Sequence, residues 1–595
     1  MLQRLVFLLK TFLWTLLVFV MGKVGFMLYN RSTHVFAVGD VFDVALYGLT
    51  LDASTSLYIL FLPLLVVAVS LWYRRQWLST VLRVYFAVIA LAVALAFVAD
   101  ASLYPFWGFK LNASCLQYLT TPTEAMASVS TGYLLVRFVA WLLVGWLIWK
   151  GYPKLDATAA AQAPVVGTAA SVALLPLMII GVRGGLGEST TNIGQVYYAQ
   201  NQFLNHSAVN PVFSFMASFE RSANAIVDYD YFAEDECRRL MDGLYPTTSV
   251  GMDTLLTTRR PDIVVILMES AGEVFAGAMP RLQQLKREGV SFNRCFASSW
   301  RTDRGTVCTF SGYPSFPTSS VMKMPSKTRH LPSIATTLKG EGYQTHYIYG
   351  GDINFTNMRS YLFAGGFEQV IWEEDYTAEE RKTAKWGVRD DITFQTLFDL
   401  ITRPHKAPQL IGFSTLSSHE PWDVPIHVKD DEMDNAFYYL DQCIGRFVDR
   451  LRKTPQWQQT LIVLLPDHSI EYKGNTQADP WRNHIPMVWT GGAVARPASI
   501  DVLCNQTDLV ATLLGQMGID HSQFPWSRDV LSTTYRYPFV WHTYDNGYSV
   551  IDSTGFFAYD FDAGRIIADK TTDSERLERM GKAILQATTN DLKER

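Results

Sequence analysis

Three short polar stretches in the second half of this chain each follow an apolar run. Met268-Glu269-Ser270 follows the run 263–267, Ser417-Ser418-His419-Glu420-Pro421 follows 410–413, and Pro466-Asp467-His468-Ser469 follows 461–465. Hard divalent cations take carboxylate oxygens, and imidazole suits zinc or manganese. Glu269, Asp467 and His468 therefore make a metal set if their strands are neighbours. A carboxylate after a strand also reads as a helix N-cap, but an adjacent Asp-His pair after five apolar residues is harder to read that way.

A fourth stretch, SSWRTDRGTVCTF at 298–310, holds five hydroxyls and a thiol. Its pattern predicts a strand over 291–297, a turn over 298–302 and a short helix over 303–311, with Thr302 as the cap and Asp303 in the first turn. A helix N-terminus offers free N–H groups to a phosphate. A hydroxyl placed there and bound to a metal can lose its proton and attack phosphorus. Thr306 and Thr309 are expected to face away, and Cys308 to be a small core residue. Arg301 and Arg304 read equally as phosphate clamps and as solvated surface.

The elements that must position these groups follow from periodicity. Short buried strands near 263–267, 343–349, 410–414, 460–465 and 487–489 alternate with helical patterns near 279–288, 331–341 and 433–453. That alternation implies an α/β fold with a mixed, mostly parallel sheet, and in such sheets the site lies at the carboxyl ends of the strands. The first third is different. Five runs, near 11–29, 56–73, 81–99, 131–149 and 165–182, are long and apolar enough to span a bilayer. The positive-inside rule, applied to Arg4, Lys10, Arg74, Arg75, Arg83, Lys150 and Lys154, puts the N-terminus in the cytoplasm and everything after Arg183 outside it. Lys23 and Arg137, within or near spans, read as snorkelling towards headgroups or as lipid-phosphate contacts. The expected organisation is a five-span transmembrane domain over 1–185, a juxtamembrane connector with amphipathic helices over 186–258, and a catalytic domain over 259–595. The first run is read as retained, not as a cleaved signal. A net charge of −5 gives no footprint for nucleic acid. Six cysteines without a CxxC pair point to neither a structural zinc site nor a disulfide framework.

In order along the chain, five spans, MES, a Thr before a short helix ending in SGYP, SSHEPW and PDHS resemble the lipoteichoic acid synthase family, sulfatase-like members of the alkaline phosphatase superfamily. The wording FASSWRTDRGTVCTFSGYPSFPTSSVMKMPSKT is most similar to the Gram-negative, Bacteroidetes-type members. The resemblance implies a bacterial cytoplasmic-membrane enzyme with an extracytoplasmic alkaline phosphatase-type domain. It implies one divalent metal, manganese in the first place and zinc or magnesium as alternatives, held by Glu269, Thr302, Asp467 and His468. It makes Thr302 the nucleophile on a membrane phospholipid, forming a phospho-threonine headgroup intermediate, and gives His419 an acid/base or phosphate-contact role. The acceptor would be an envelope glycan or lipid. The family's headgroup pocket draws a His, a Trp and an Arg from one stretch. Here Tyr349 stands where the His belongs, the stretch has no Trp, and Arg359 is the Arg candidate. His484 reads as an acceptor-side group or as a structural histidine. Phosphoglycerol transfer leads, with phosphoethanolamine transfer and sulfatase-like hydrolysis as alternatives. The CxPxR motif of true sulfatases is absent, since Cys308 is followed by Thr309-Phe310-Ser311.

Overall fold

The computed structural model describes residues 2–595 apart from 33, 108–109, 112–114, 116–130, 161–162, 188, 200, 221–225, 252, 546 and 562–563. The chain divides into two compact units, 1–223 and 224–595. The connector expected over 186–258 is thus shared between them. Its later part adds the helix Glu234–Met241 to the second unit, where it packs on the C-terminal helix Ser574–Glu594.

Among the described residues of the first unit, five helices are long and apolar enough to cross a membrane: Leu2–Tyr29, Leu49–Ser70, Gln76–Pro105, Gly132–Gly151 and Pro164–Arg183. Of the two cations within or near the apolar helices, Lys23 departs from the snorkelling expectation. Lys23 is buried and ion-paired with Asp52 at 2.6 Å, and the Asn210 amide donates to the same carboxylate at 3.1 Å. A buried ammonium is costly unless it is paired, and Asp52 supplies the partner. Arg137 bonds the Tyr29 hydroxyl and lies 4.4 Å from the centre of the Tyr133 ring.

The second unit is built on a nine-stranded mixed sheet. Its members are β1 (Asp262–Met268), β2 (Val290–Phe296), β3 (Gln344–Tyr349), β4 (Gln369–Ile371), β5 (Gln409–Ser414), β6 (Thr460–Pro466), β7 (His484–Thr490), β8 (Ala498–Ile500) and β9 (Cys504–Asn505). The order is β4-β3-β5-β1-β6-β7-β2-β8, with β9 beside β2. β4, β3, β5, β1 and β6 run parallel, whereas β7 is antiparallel to both β6 and β2. Every residue of β1 and β6 is buried. Ile263, Val265 and Leu267 enter one core and Val264, Ile266 and Met268 the other. This is why the strand reads as an unbroken apolar run without alternation. A second, four-stranded antiparallel sheet follows: β10 (Val540–Tyr544), β11 (Gly547–Asp552), β12 (Gly555–Asp560) and β13 (Arg565–Thr571). It shares the first core with the final helix through Tyr548, Val550, Leu577 and Ile584.

Candidate metal centre and phosphoryl-transfer site

β1 and β6 are neighbours in register, with Met268 opposite Pro466. Their carboxyl ends therefore deliver Glu269 and Asp467-His468 to one point. One ligand atom from each of Glu269, Asp467 and His468 lies within 4.8 Å of the others, and all three residues are buried. His468 Nε2 is 3.6 Å from both Glu269 Oε1 and Asp467 Oδ2. Its Nδ1 faces the Ser469 carbonyl at 3.2 Å. That contact puts the ring proton on Nδ1 and leaves the Nε2 lone pair towards the carboxylates. Asp467 Oδ1 accepts the Ser270 and His468 amides, each at 2.9 Å, while Oδ2 is buried without a hydrogen-bond partner. Burial, with Asp467 adjacent, pushes the Glu269 carboxyl up to about 8 despite the offsetting His468 ring and Ser270 hydroxyl. Two buried carboxylates, one orphaned oxygen and a lone-pair nitrogen are a donor set short of positive charge, which a divalent cation supplies.

The backbone is bent to make this cluster. Ser270 has φ of 60°, in the left-handed region, which costs a non-glycine residue roughly 1–2 kcal/mol. In that conformation its amide reaches Asp467 and its hydroxyl donates to Glu269 Oε1 at 2.8 Å. The Glu269 backbone is held from β5's loop, its amide by Thr415 Oγ1 at 2.9 Å and its carbonyl by the Ser418 hydroxyl at 2.7 Å.

Thr302 joins the cluster from a different element. Its helix is Thr302–Ser311, with Arg301 as the N-cap in extended conformation. Thr302 is thus the first helical residue and not the cap expected from the sequence. Its hydroxyl is free of the capping role and donates to Glu269 Oε2 at 3.2 Å. No side chain caps the helix, so its first amides are left for an anion. The helix is pressed onto the end of β6, where a Cβ on Gly305 would lie 2.1 Å from the Asp467 carbonyl oxygen. Gln506, which sequence reasoning passed over, locks this contact. Its Nε2 lies 2.9–3.0 Å from the Pro466 and Asp467 carbonyls and Thr309 Oγ1. Thr306 and Thr309 bond back to the Thr302 and Gly305 carbonyls, and Cys308 is fully buried with its thiol pushed far up by burial.

The other expected residues separate into groups. His419, in the loop after β5, donates from Nδ1 to the Glu420 carbonyl at 2.9 Å, which leaves Nε2 for proton transfer. The Trp386 ring lies 4.6 Å from His419, and its Nε1 donates to the Glu420 carbonyl at 2.5 Å. Trp386 lies 27 residues beyond Arg359 in the sequence (386 − 359). No local sequence signal pointed to it, because only the fold brings Trp386 to this loop. Tyr349 ends β3, and burial, followed by the nearby Glu269 charge, holds its phenol far above the usual range. The Arg359 guanidinium lies 5.8 Å from the Trp372 ring centre. Arg301 is exposed over Trp300. Arg304 pairs with Asp303 at 3.6 Å, with the Phe316 and Thr318 carbonyls 3.5 Å from its guanidinium. His484 Nε2 meets the Asn293 carbonyl at 2.8 Å, and its ring packs between Phe296 and Trp481. The ring is not among the three clustered ligands. Behind the centre, His542 on β10 donates to the Ala297 carbonyl at 2.8 Å. Burial, with Arg482 and His468 adding to it, pushes its imidazole down to about 3.

Residues 261–519 match the Sulfatase family. Phosphoglycerol transferase I of Xanthomonas campestris pv. campestris is 28% identical over 239 residues, 35% of this chain and 34% of that protein. Lipoteichoic acid synthase 2 of Bacillus subtilis is 24% identical over 232 residues, 35% of each chain. The chain thus spans about a third of the length of the curated relatives it matches. A crystal structure of an alkaline phosphatase superfamily protein from Vibrio parahaemolyticus aligns with a TM-score of 0.54 at 25% identity, covering 62% of this chain and 98% of that one. The lipoteichoic acid synthase LtaP from Listeria monocytogenes shares the fold at a TM-score of 0.50 and 17% identity, over 61% of this chain and 98% of that one. Residues 261–519 therefore match the Sulfatase family and have the fold of an alkaline phosphatase superfamily protein.

Proposed function

We propose that this chain is a metal-dependent phosphotransferase that moves a phospholipid headgroup through a phospho-threonine intermediate, with phosphoglycerol as the headgroup. The observation that carries this reading is the Thr302 hydroxyl on Glu269, at an uncapped helix N-terminus beside Asp467 and His468. The names of the relatives, phosphoglycerol transferase and lipoteichoic acid synthase, support the headgroup. Glu269, Thr302, Asp467 and His468 would hold one divalent cation, for which we favour manganese. When bound, the cation supplies the positive charge that acidifies a hydroxyl and offsets charge on a phosphoryl group.

The chain's own groups divide the rest of the work. Glu269 accepts the Thr302 proton along an existing hydrogen bond. Thr302 Oγ1 attacks phosphorus, the bond from phosphorus to the diacylglycerol oxygen breaks, and the headgroup phosphate stays on Thr302. The free amides at the helix start face the non-bridging oxygens. His419 Nε2 protonates the leaving oxygen and then takes the proton of the acceptor hydroxyl that displaces Thr302. The acceptor is an envelope glycan or lipid. The five apolar helices hold the enzyme in the membrane that contains its donor, N-terminus inside and the Sulfatase-family domain outside the cytoplasm.

The test is turnover. Full-length protein in detergent with labelled phosphatidylglycerol and manganese should release diacylglycerol, and Thr302→Ala should abolish release. Full turnover by that variant sinks the assignment. Phosphatidylethanolamine consumed in place of phosphatidylglycerol reassigns the headgroup.

A further inference from the structure

A cavity of about 690 Å³ opens where three stretches of the second unit meet: the helix Glu234–Met241 with the turn after it, the segment 534–537 before β10, and the C-terminal helix Ser574–Glu594. Its size suits a small ligand. It lies apart from the metal centre. Tyr537, on its wall, donates to Asp552 at the end of β11. Tyr544 and Asp545, at the opposite end of the β10–β11 hairpin, border a space shared with His468. The six residues of β11 put roughly 17 Å between those ends.

Three guanidiniums line the cavity, and they are not alike. Arg576 is fully engaged, with Asp552 at 2.7 Å, Asp573 at 2.8 Å, Thr554 Oγ1 at 3.1 Å and the Tyr537 hydroxyl. Arg239 and Arg536 are not. The acids in the first turn of helix Glu234–Met241 are already taken, Glu234 and Asp235 by Arg238 and Glu236 by Arg579. Arg239 is left with the Asp235 carbonyl, 3.3 Å from its Nε, and among the described residues it forms no ion pair. Arg536 bonds the Thr534 carbonyl with its backbone amide, and among the described residues its guanidinium has no partner. Only one carboxylate, Asp242, lines the same cavity. Beneath the cations the wall is apolar, with half-buried Leu240 and the core residues Leu244 and Met580.

We propose that this cavity binds an anionic lipid, its phosphate head between Arg239 and Arg536 and the start of its apolar chains on Leu240, Leu244 and Met580. A guanidinium offers a planar fork that matches two oxygens of such a head. Apolar side chains next to unmatched cations suit a ligand that carries its anion on an apolar stem, and they give a free anion nothing further to bury. The lipid held here is separate from a donor consumed at Thr302, so the inference stands whichever headgroup is transferred there.

Hydrogen exchange locates the site and measures it. Full-length Thr302→Ala protein in neutral detergent and EDTA is titrated with dihexanoyl phosphatidic acid, which carries head and chains. Inorganic phosphate supplies the head alone, and dihexanoylglycerol the chains alone. Phosphatidic acid should slow amide exchange in 234–246 and 534–537. Inorganic phosphate should need at least tenfold more ligand for the same protection, and dihexanoylglycerol should give none. Arg239→Gln and Arg536→Gln should each weaken the response about tenfold, the loss of one charge-assisted contact, with melting temperature preserved because both side chains are exposed. Asp242→Asn removes the like charge and should tighten binding severalfold. Protection by phosphatidic acid confined to the helix Thr302–Ser311 overturns the proposal, as does unchanged protection in both arginine variants. Equal affinity for inorganic phosphate makes the cavity a free-anion site and overturns the lipid assignment.

Discussion

Gly305→Ala probes how tightly the nucleophile is positioned. A Cβ at this position would sit 2.1 Å from the Asp467 carbonyl oxygen and 2.7 Å from its carbon. An unforced C···O contact is about 3.3 Å, so the helix Thr302–Ser311 and the end of β6 must part by roughly 1.2 Å (3.3 − 2.1). Gln506 resists that motion, because its Nε2 bonds both strand-end carbonyls and Thr309. Alanine raises helix propensity by up to about 1 kcal/mol, and forced overpacking costs about 1–3 kcal/mol. The net expectation is a loss of about 0–2 kcal/mol in stability. The kinetic effect is larger, because a misplacement of about 1 Å at a reacting group costs roughly 100-fold. Diacylglycerol release under single-turnover conditions, beside a thermal melt, separates the two. A variant within threefold of wild-type rate would refute the claim that this contact sets the Thr302 geometry.

Asp467→Asn should keep the fold, because Oδ1 can still take the Ser270 and His468 amides. Its metal affinity should fall by more than the roughly 10–100-fold that loss of an outer-shell partner costs, read as the loss of the metal-induced rise in melting temperature. Gln506→Ala strands buried carbonyls and should cost about 1–3 kcal/mol in a denaturant melt. Trp386→Ala should weaken catalysis at His419 with metal binding unchanged, measured as a shift in the pH–rate profile. Asp390 anchors the His419 loop by accepting the Leu416 and Ser417 amides, and burial pushes its carboxyl up to about 6. An acid raised above its unfolded value of about 3.9 stabilises the fold fully below that value and loses the contribution as pH rises through 6. Wild type should therefore lose up to about 3 kcal/mol between pH 4 and 7 relative to Asp390→Asn. Parallel pH profiles for the two proteins would contradict this.

Much of the site was legible because the strands that carry it are buried on both faces. Runs such as Ile263–Leu267 and Leu461–Leu465 have a single reading as central strands, so the polar residues after them must lie at one sheet edge. Sequence patterns do not encode what depends on remote packing. Trp386 reaches His419 only through the loop geometry after β5, and Gln506 reaches β6 only because β9 pairs with β2. The second sheet, β10 to β13, was not anticipated, since its short polar-flanked strands lack the long apolar runs of the first. Lys23 could be read as snorkelling until Asp52, 29 residues away (52 − 23), was placed beside it. Thr302 moved by one position, from cap to first helical residue, and that shift gives its hydroxyl to Glu269.

The claim at the centre of this account is covalent chemistry at Thr302. Full-length protein, manganese and phosphatidylglycerol, quenched in acid during turnover and digested, should yield the peptide containing Thr302 with one glycerophosphoryl group added. Thr302→Ala and EDTA should both abolish the adduct. Diacylglycerol release at full rate with no adduct at Thr302, or with the group on another residue, would contradict the account.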